Sequence, residues 1–447
     1  MKILNSIVIL TMTFCMVLSE NPGVVLDIKM QVIEKIRDNY FTQLFKDFGH
    51  QTLPDIKSGD LEIKDITADI SNTSPDNLKI QFVEGSNVLA IEVDSTNIDV
   101  SVNFHYSESI VSVSGSAKLK GPIDKLTMNL GFDKKSESTY FIPQIKVDQF
   151  KTYLDKGAFS FDFSCHNCPG FVEDLVEKYL KDDLVDEVAK ALNEQLPSEL
   201  NSDGNKLIDE SYPRSVTLYN NIDIETSMSD GISVKSDHLE IPLDSTVFLH
   251  EKGYHRTEDA PVIPTYNPKD PGEIMLFLSP YLLLTLGDTL NEGVQTYNTT
   301  FMGTNYQVFL DPAVGKTALT FEEGDFAIDF SPKIMATDYS IGIEITASAK
   351  LNPVISKGDS KNMFYVTPKI KSLQLSTIKL LSGTTPVDIS FIASYLNTIV
   401  ESLINTVAVP VIPVPKQSVL PLHVTKSELD FHSNYSEFGI VFDFGTQ

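Results

Sequence analysis

The hydrophobic period of this chain switches from helical to strand spacing twice, once on each side of a proline-rich bridge, Asp259-Ala-Pro-Val-Ile-Pro-Thr-Tyr-Asn-Pro-Lys-Asp-Pro-Gly272. Proline donates no ladder hydrogen bond and favours an extended connector, so the bridge joins two bodies and does not run through one. Each side predicts the same order: an amphipathic helix, a long alternating run, a second amphipathic helix and further strands. That repetition divides the chain into residues 20–257, a linker over 258–272, and residues 273–447, two similar bodies of the α+β class.

Before the bridge, apolar residues at Val25, Ile28, Val32, Ile36, Tyr40, Leu44 and Phe48 step by threes and fours, with Lys29, Glu34, Lys35 and Asp38 on the opposite face. The spacing predicts one long helix from Val24 to Phe48. From Asp60 to Lys146 the period is two, which predicts an antiparallel meander with one dry face, and the long helix is its natural cover. After Cys168-Pro169-Gly170 a second helix is expected to about Leu196, presenting Val172, Leu175, Val176, Tyr179, Leu180 and Leu184, with Pro197 as its stop. Beyond the bridge, Ser279-Pro280 caps a shorter helix, Tyr281 to Leu290, that includes Leu284. A last helix over 387–407 carries Ile389, Ile392, Leu396 and Ile399. Long helices against one-sided sheets make long, narrow apolar interiors that side chains fill poorly, and an acyl chain suits such a gap.

The first residues combine Lys2, an apolar stretch from Ile7 to Leu18 and small residues before a cut after Ser19, so residues 1–19 are expected to be a signal peptide. Removal of Lys2 leaves 34 basic against 61 acidic side chains, a formal charge of about −27 that argues against a nucleic-acid partner. Sequons at Asn72, Asn298 and Asn434 fit a secretory route, to the outside or to the endolysosomal lumen. Cys165 and Cys168 are the cysteines left, too few for a disulfide-stapled miniature fold.

No catalytic constellation emerges from the motifs of the chain. Leu310-Asp-Pro-Ala-Val-Gly-Lys-Thr317 imitates the end of a phosphate-binding loop but lacks its first glycine, and a strand turn is expected there. The sequence has neither a metalloprotease HExxH nor a hydrolase GxSxG. Cys165-His-Asn-Cys168 has redox spacing without a βαβ frame, so a local disulfide is expected over a thiol catalyst. No enzyme and no cofactor is therefore expected.

With these landmarks placed, the chain resembles the family of bactericidal permeability-increasing protein, lipopolysaccharide-binding protein and plasma lipid-transfer proteins. The resemblance is carried by Asn21-Pro22-Gly23-Val24-Val25, by Leu278-Ser279-Pro280-Tyr281 after the bridge, and by Pro421 to Leu429 with Phe438 to Phe444. It implies an elongated boomerang of two similar barrels, each a twisted antiparallel sheet wrapped on long helices, sharing a central sheet. It also implies a phospholipid pocket per barrel, lined by Val25, Ile28, Val32, Ile36, Val172, Leu175, Val176 and Tyr179 in one. In the other the lining would be Tyr281, Leu284, Ile389, Ile392, Leu396 and Ile399. Two departures stand out. The family's disulfide partner inside the second helix is missing, so Cys165 pairs with Cys168 or stays free. The expected tip loops, around Asp55 to Lys64 and Gly115 to Lys125, interleave their lysines with carboxylates. Phospholipid carriage by a monomer, with transient contact at a membrane surface, is expected ahead of lipopolysaccharide recognition, and a scaffold or adhesion role with closed cavities is the rival from another class.

Overall fold

The computed structural model describes residues 22–48, 50–71, 74–137, 140–212, 214–219, 221–228, 230–255, 260–263, 272–301, 303–337, 342–357, 363–382, 409–413 and 422–444. The expected signal peptide, Asn72, most of the bridge and the helix expected over 387–407 lie outside them.

Each half opens with a strand leading into a helix, and the two opening strands pair with each other. Val24–Lys29 runs antiparallel to Ile274–Leu278, from Val24 opposite Leu278 to Ile28 opposite Ile274. They form the middle of a six-stranded sheet whose order is Ser233–Val234, His238–Leu243, Val24–Lys29, Ile274–Leu278, Tyr435–Phe444, Leu422–His432. Three strands come from before the bridge and three from after it. This corrects the expected helix start: residues 24–29 are a strand, and helix α1 is Met30–Phe48. Val24, Leu26 and Ile28 follow a period of two, while Val25 and Ile28 step by three into the helical stripe of Val32 and Ile36, and pairing on both edges decides between them.

The sheet of the first half runs His50–Leu53, Leu61–Ser71, Val88–Glu108, Val111–Glu137, Tyr140–Leu154, with Ile56–Ser58, Leu78–Val83 and Ser160–Cys165 at its margins. Along Val88–Glu108, Val93, Ile98, Val100, Val102, Phe104 and Tyr106 are buried. The other face carries ion pairs such as Lys79 to Asp94 at 2.5 Å and Lys120 to Asp99 at 3.1 Å. Register shifts at Lys64/Thr67, Ile123/Lys125 and Asn129/Leu130 add local twist that curls the sheet over its apolar face.

Helix α2 (Gly170–Tyr179) continues through a π turn, Leu180–Leu184, into α3 (Val185–Ser211). Pro197 lies inside α3 and does not end it, against the sequence expectation. The reason is a set of asparagines on one face of that helix. Asn193 Oδ1 accepts from the amide of Thr152 at 2.9 Å, Asn201 Oδ1 from Val147 at 2.7 Å, and Asn205 Oδ1 from Ile145 at 2.8 Å. Asn205 Nδ2 also donates to the Ile145 carbonyl at 2.9 Å. The free edge of Tyr140–Leu154 is thereby closed by side chains spaced in fours, with Pro197 in the same phase, and this docking holds the helix together across the proline. Gly204 permits the approach, since a Cβ there would lie 2.4 Å from Ile145 Cδ1.

The second half begins with α4, Pro280–Asn291, capped by Ser279 Oγ accepting from the Tyr281 amide at 3.0 Å. Its sheet runs Gln295–Phe301, Thr304–Leu310, Pro332–Ala336, Gly342–Lys357, Asp325–Phe330, Ala318–Glu322, with Met363–Ser382 and Val409–Pro413 following on. The segment after Leu310 is a turn leading to a strand, as the missing glycine implied. A three-stranded sheet, Ser215–Tyr219, Ile222–Glu225 and Val247–Leu249, packs beneath α4.

Candidate lipid-binding interior

Among the described residues, the first half holds two large apolar clusters along its length and a small third one of Met128, Val147 and Leu200. In the outer one, Val172, Val176, Leu180, Leu184, Val188, Leu192 and Leu196 of α2 and α3 are buried against Ile63, Ile98, Val100, Phe104, Leu119 and Ile123 of the curled sheet. In the other, beside the central sheet, Val32 and Ile36 of α1 meet Leu26, Ile28, Ile145, Ile208, Tyr212, Leu239 and Ile241. The two helices run in opposite directions: α1 leaves the central sheet, while the end of α3 arrives there.

The structure therefore separates residues that the sequence reading grouped. Val32, Ile36 and Ile28 lie at the central-sheet end, and Val172 and Val176 lie in the outer cluster, with Tyr179 half-buried against it. Val25 is on the opposite face of its strand, packed near Met275, Phe277 and Ile263, because strand alternation turns it away from Leu26. Leu175 and Leu284 are turned to solvent, at 40% and 45% exposure, which corrects their assignment as lining residues. In α4 the side chains that meet the sheet beneath are Leu282, Leu286 and Leu290, a spacing of four that was available in the sequence. Tyr281 is buried at the seam, its hydroxyl 2.8 Å from Thr246 Oγ1. Ile389, Ile392, Leu396 and Ile399 lie outside the described residues.

The seam explains the two most specific landmarks together. The Gly23 carbonyl accepts from the Ser279 amide at 2.7 Å, and the Gly23 amide donates to the Leu243 carbonyl at 3.0 Å. A Cβ on Gly23 would stand 2.3 Å from the Asp244 carbonyl oxygen and 3.1 Å from the Tyr281 ring. Beside them sits a buried acidic group. Asp244 accepts from the Tyr254 hydroxyl at 2.7 Å and the Thr246 amide at 2.9 Å. Glu225 accepts from the Ser227 amide at 2.9 Å, and burial pushes its carboxyl up to about 7, with nearby Asp244 adding to the rise and the bonds from Ser227 opposing it. On the other side of the central sheet's junction, Lys35 of α1 bonds Glu273 at 2.8 Å and Asp443 at 3.0 Å.

At the outer end the polypeptide turns at Gly59-Asp60 and at Ser109-Ile110. Gly115 to Lys125, expected as a tip loop, is instead the middle of Val111–Glu137, because alternation continues through its glycines. Most of the lysines in the stretches Asp55 to Lys64 and Gly115 to Lys125 are paired, as their interleaving with carboxylates implied. Glu62 takes both Lys57 at 2.8 Å and Lys64 at 3.0 Å, which hold its carboxyl down to about 2, while Lys120 bonds Asp99 and Lys125 bonds Glu92. The tip also exposes apolar side chains. Ile110 is 99% exposed at its turn, Phe171 is 51% exposed and packs edge-on to Tyr106, and Leu175 stands one helical turn beyond Phe171. Cys165 and Cys168 form a disulfide just before α2. Asn298 and Asn434 are exposed.

No protein-family model and no curated protein matches the chain. Among solved structures, lipopolysaccharide-binding protein aligns over 95% of this chain and 99% of its own, with 13% identity and a TM-score of 0.51. P47 of Clostridium botulinum E1 covers 94% of this chain and 98% of its own, at 13% identity and a TM-score of 0.30. Takeout 1 of Epiphyas postvittana covers 39% of this chain and 88% of its own, at 10% identity and 0.21. Along nearly its whole length, this chain has the fold of lipopolysaccharide-binding protein, and the resemblance read from its sequence landmarks is one of fold.

Proposed function

We propose that this protein binds an amphipathic lipid, phospholipid in preference to lipopolysaccharide, by enclosing acyl chains between its long helices and the concave faces of its sheets. The observation that carries the reading is the apolar line from Val172 to Leu196, which lies against a one-sided sheet in a fold shared with a protein named for binding lipopolysaccharide. Moving an acyl chain into water costs about 0.8 kcal/mol per methylene, so a two-chain lipid loses on the order of 20 kcal/mol outside an apolar host. Transfer between membrane and protein exchanges one dry environment for another and needs no chemistry.

Paired lysines at the tip and a strongly acidic chain disfavour a purely electrostatic grip on lipid phosphates. The exposed Ile110, Phe171 and Leu175 favour transient contact with a membrane surface at that end. On this reading the protein works in a secreted or lumenal setting. Lipid extraction and native mass spectrometry of the purified full chain test it: bound phospholipid is expected, exchangeable for a labelled analogue. A protein that carries no lipid and takes up none from vesicles contradicts the proposal and leaves the scaffold reading in its place.

A further inference from the structure

On the face of the central sheet away from the helices, three metal-ligating side chains of different kinds converge. Asp27, His238 and Glu240 each offer one ligand atom, and these atoms lie within 4.8 Å of one another. Asp27 and His238 are buried, at 1% and 5% exposure, and Glu240 is half-buried. The backbone register is what brings them together. Asp27 stands directly opposite Glu240, and His238 is opposite Lys29, two residues along on the same face.

We propose that Asp27, His238 and Glu240 form a binding site for a divalent transition-metal ion, zinc by its ligand set, that fastens Val24–Lys29 to His238–Leu243. Two carboxylates placed directly opposite on neighbouring strands repel, and a bound cation relieves that repulsion. His238 Nδ1 lies 2.7 Å from Asp237 Oδ1, so the ring donates there and directs Nε2 towards Asp27 Oδ1, 3.9 Å away. A carboxylate that holds the far nitrogen of an imidazole is the usual orienting partner of a metal-bound histidine. Ligand atoms about 2.0–2.2 Å from a tetrahedral ion are roughly 3.3–3.6 Å apart, so a set within 4.8 Å, with 3.9 Å between His238 and Asp27, closes on an ion by inward movements of at most about 1.5 Å. One imidazole with two carboxylates suits zinc better than calcium or magnesium, which prefer all-oxygen shells. Three protein ligands would leave the fourth tetrahedral position to water.

Two ammonium groups share this face. Lys29 is buried opposite His238, and Lys235 Nζ lies 3.6 Å from Glu240 Oε2. They neutralise part of the carboxylate charge and compete with an ion, so the test must separate an internal ion-pair cluster from a metal site. The full chain is stripped with chelator and titrated with zinc, and in parallel with cobalt(II), whose visible bands report tetrahedral nitrogen and oxygen ligation. One equivalent is expected to bind and to raise the melting temperature. Asp27→Asn and His238→Gln should each weaken binding more than 100-fold, Asp237→Asn should weaken it about 10–100-fold, and Lys29→Met should retain it or tighten it. Should Asp27→Asn fail to fold, His238→Gln and Asp237→Asn carry the comparison. Absence of stoichiometric uptake by the wild-type chain overturns the proposal in favour of the ion-pair cluster. Uptake equal in wild type and His238→Gln overturns it in favour of adventitious binding on the acidic surface.

Discussion

The asparagines that dock α3 on the edge of Tyr140–Leu154 can be tested one atom at a time, because they do different work. Asn201 uses only its carbonyl oxygen, which accepts from the Val147 amide, whereas Asn205 accepts from the Ile145 amide and also donates to the Ile145 carbonyl. Aspartate preserves the acceptor and removes the donor at nearly constant volume. Asn201→Asp keeps its bond and is expected to stay within about 1 kcal/mol of wild type, since a charged acceptor strengthens the bond while burial opposes the charge. Asn205→Asp loses a hydrogen bond, leaves the Ile145 carbonyl without its side-chain donor and sets a carboxylate oxygen against it, for a cost of about 2–3 kcal/mol. Ile145 and Val147 are both buried, so water does not readily replace the lost partner.

Urea unfolding followed by circular dichroism at neutral pH measures the two differences, with an unchanged m-value required for the comparison. Hydrogen exchange adds a local readout, since the Ile145 amide keeps an acceptor in Asn205→Asp and loses it in Asn205→Ala. Equal destabilisation by the two aspartate variants, or none by either, refutes the assignment of this edge as closed by side chains. A double variant should depart from additivity, because both asparagines act on the same strand at residues two apart, Ile145 and Val147.

Glu225 gives a pH dependence of known sign. Its folded-state carboxyl is raised from the ordinary 4.5 to about 7, so its contribution to stability is complete below about 4.5 and is lost as pH rises through about 7. Glu225→Gln should remove that slope and leave the variant about 3 kcal/mol more stable than wild type at pH 8, by the usual 1.36 kcal/mol per pH unit; denaturation midpoints across pH 4.5 to 8 check it, and parallel profiles would falsify the account. Gly23→Ala places a methyl against the Asp244 carbonyl, and at least about 1–3 kcal/mol of overpacking is expected; an unchanged melting curve contradicts the seam geometry. Ile110→Asp with Phe171→Asp should reduce association with phosphatidylcholine vesicles without lowering the melting temperature; undiminished association moves membrane contact elsewhere.

Much of the plan was legible because two periods compete in so few ways. The one-sided strand at Val88–Glu108 and the α2 stripe of Val172 and Val176 follow from spacing alone. Residues 24–29 did not, because Val25 and Ile28 continue the helical stripe while Val24, Leu26 and Ile28 alternate, and only the two neighbouring strands distinguish the readings. Pro197 was read as a stop by a local rule, but docking of Asn193, Asn201 and Asn205 on a strand some fifty residues earlier is a tertiary effect that overrides it. The four-residue spacing of those asparagines was the available sign. The lining assignments suffered from a different limit: a helical stripe shows which residues share a face, not which stretch of sheet each turn meets. Hence Val172 and Val32, both buried, belong to different clusters.

The division of α2 and α3 bears on how a lipid would enter. From Asn193 to Asn205 the helix is hydrogen-bonded to the sheet edge, whereas from Val172 to Val188 it is held mainly by apolar packing, with exposed Lys156 reaching Asp186 at 2.6 Å and the Asp182 carbonyl at 2.8 Å. Exposed pairs of that kind contribute little, about 0–1 kcal/mol. Apolar packing is non-directional and is replaced without loss when acyl chains take the place of side chains, while the asparagine bonds have no such substitute. The π turn at Leu180–Leu184 separates the two regions, and such turns are frequent at functional sites. If lipid enters by the outer end, amides of residues 170–184 should exchange faster when vesicles are present, and those of 193–211 should not change. A uniform response along the whole helix would instead mean that it moves as one rod, and the asparagine edge would have to break with every exchange.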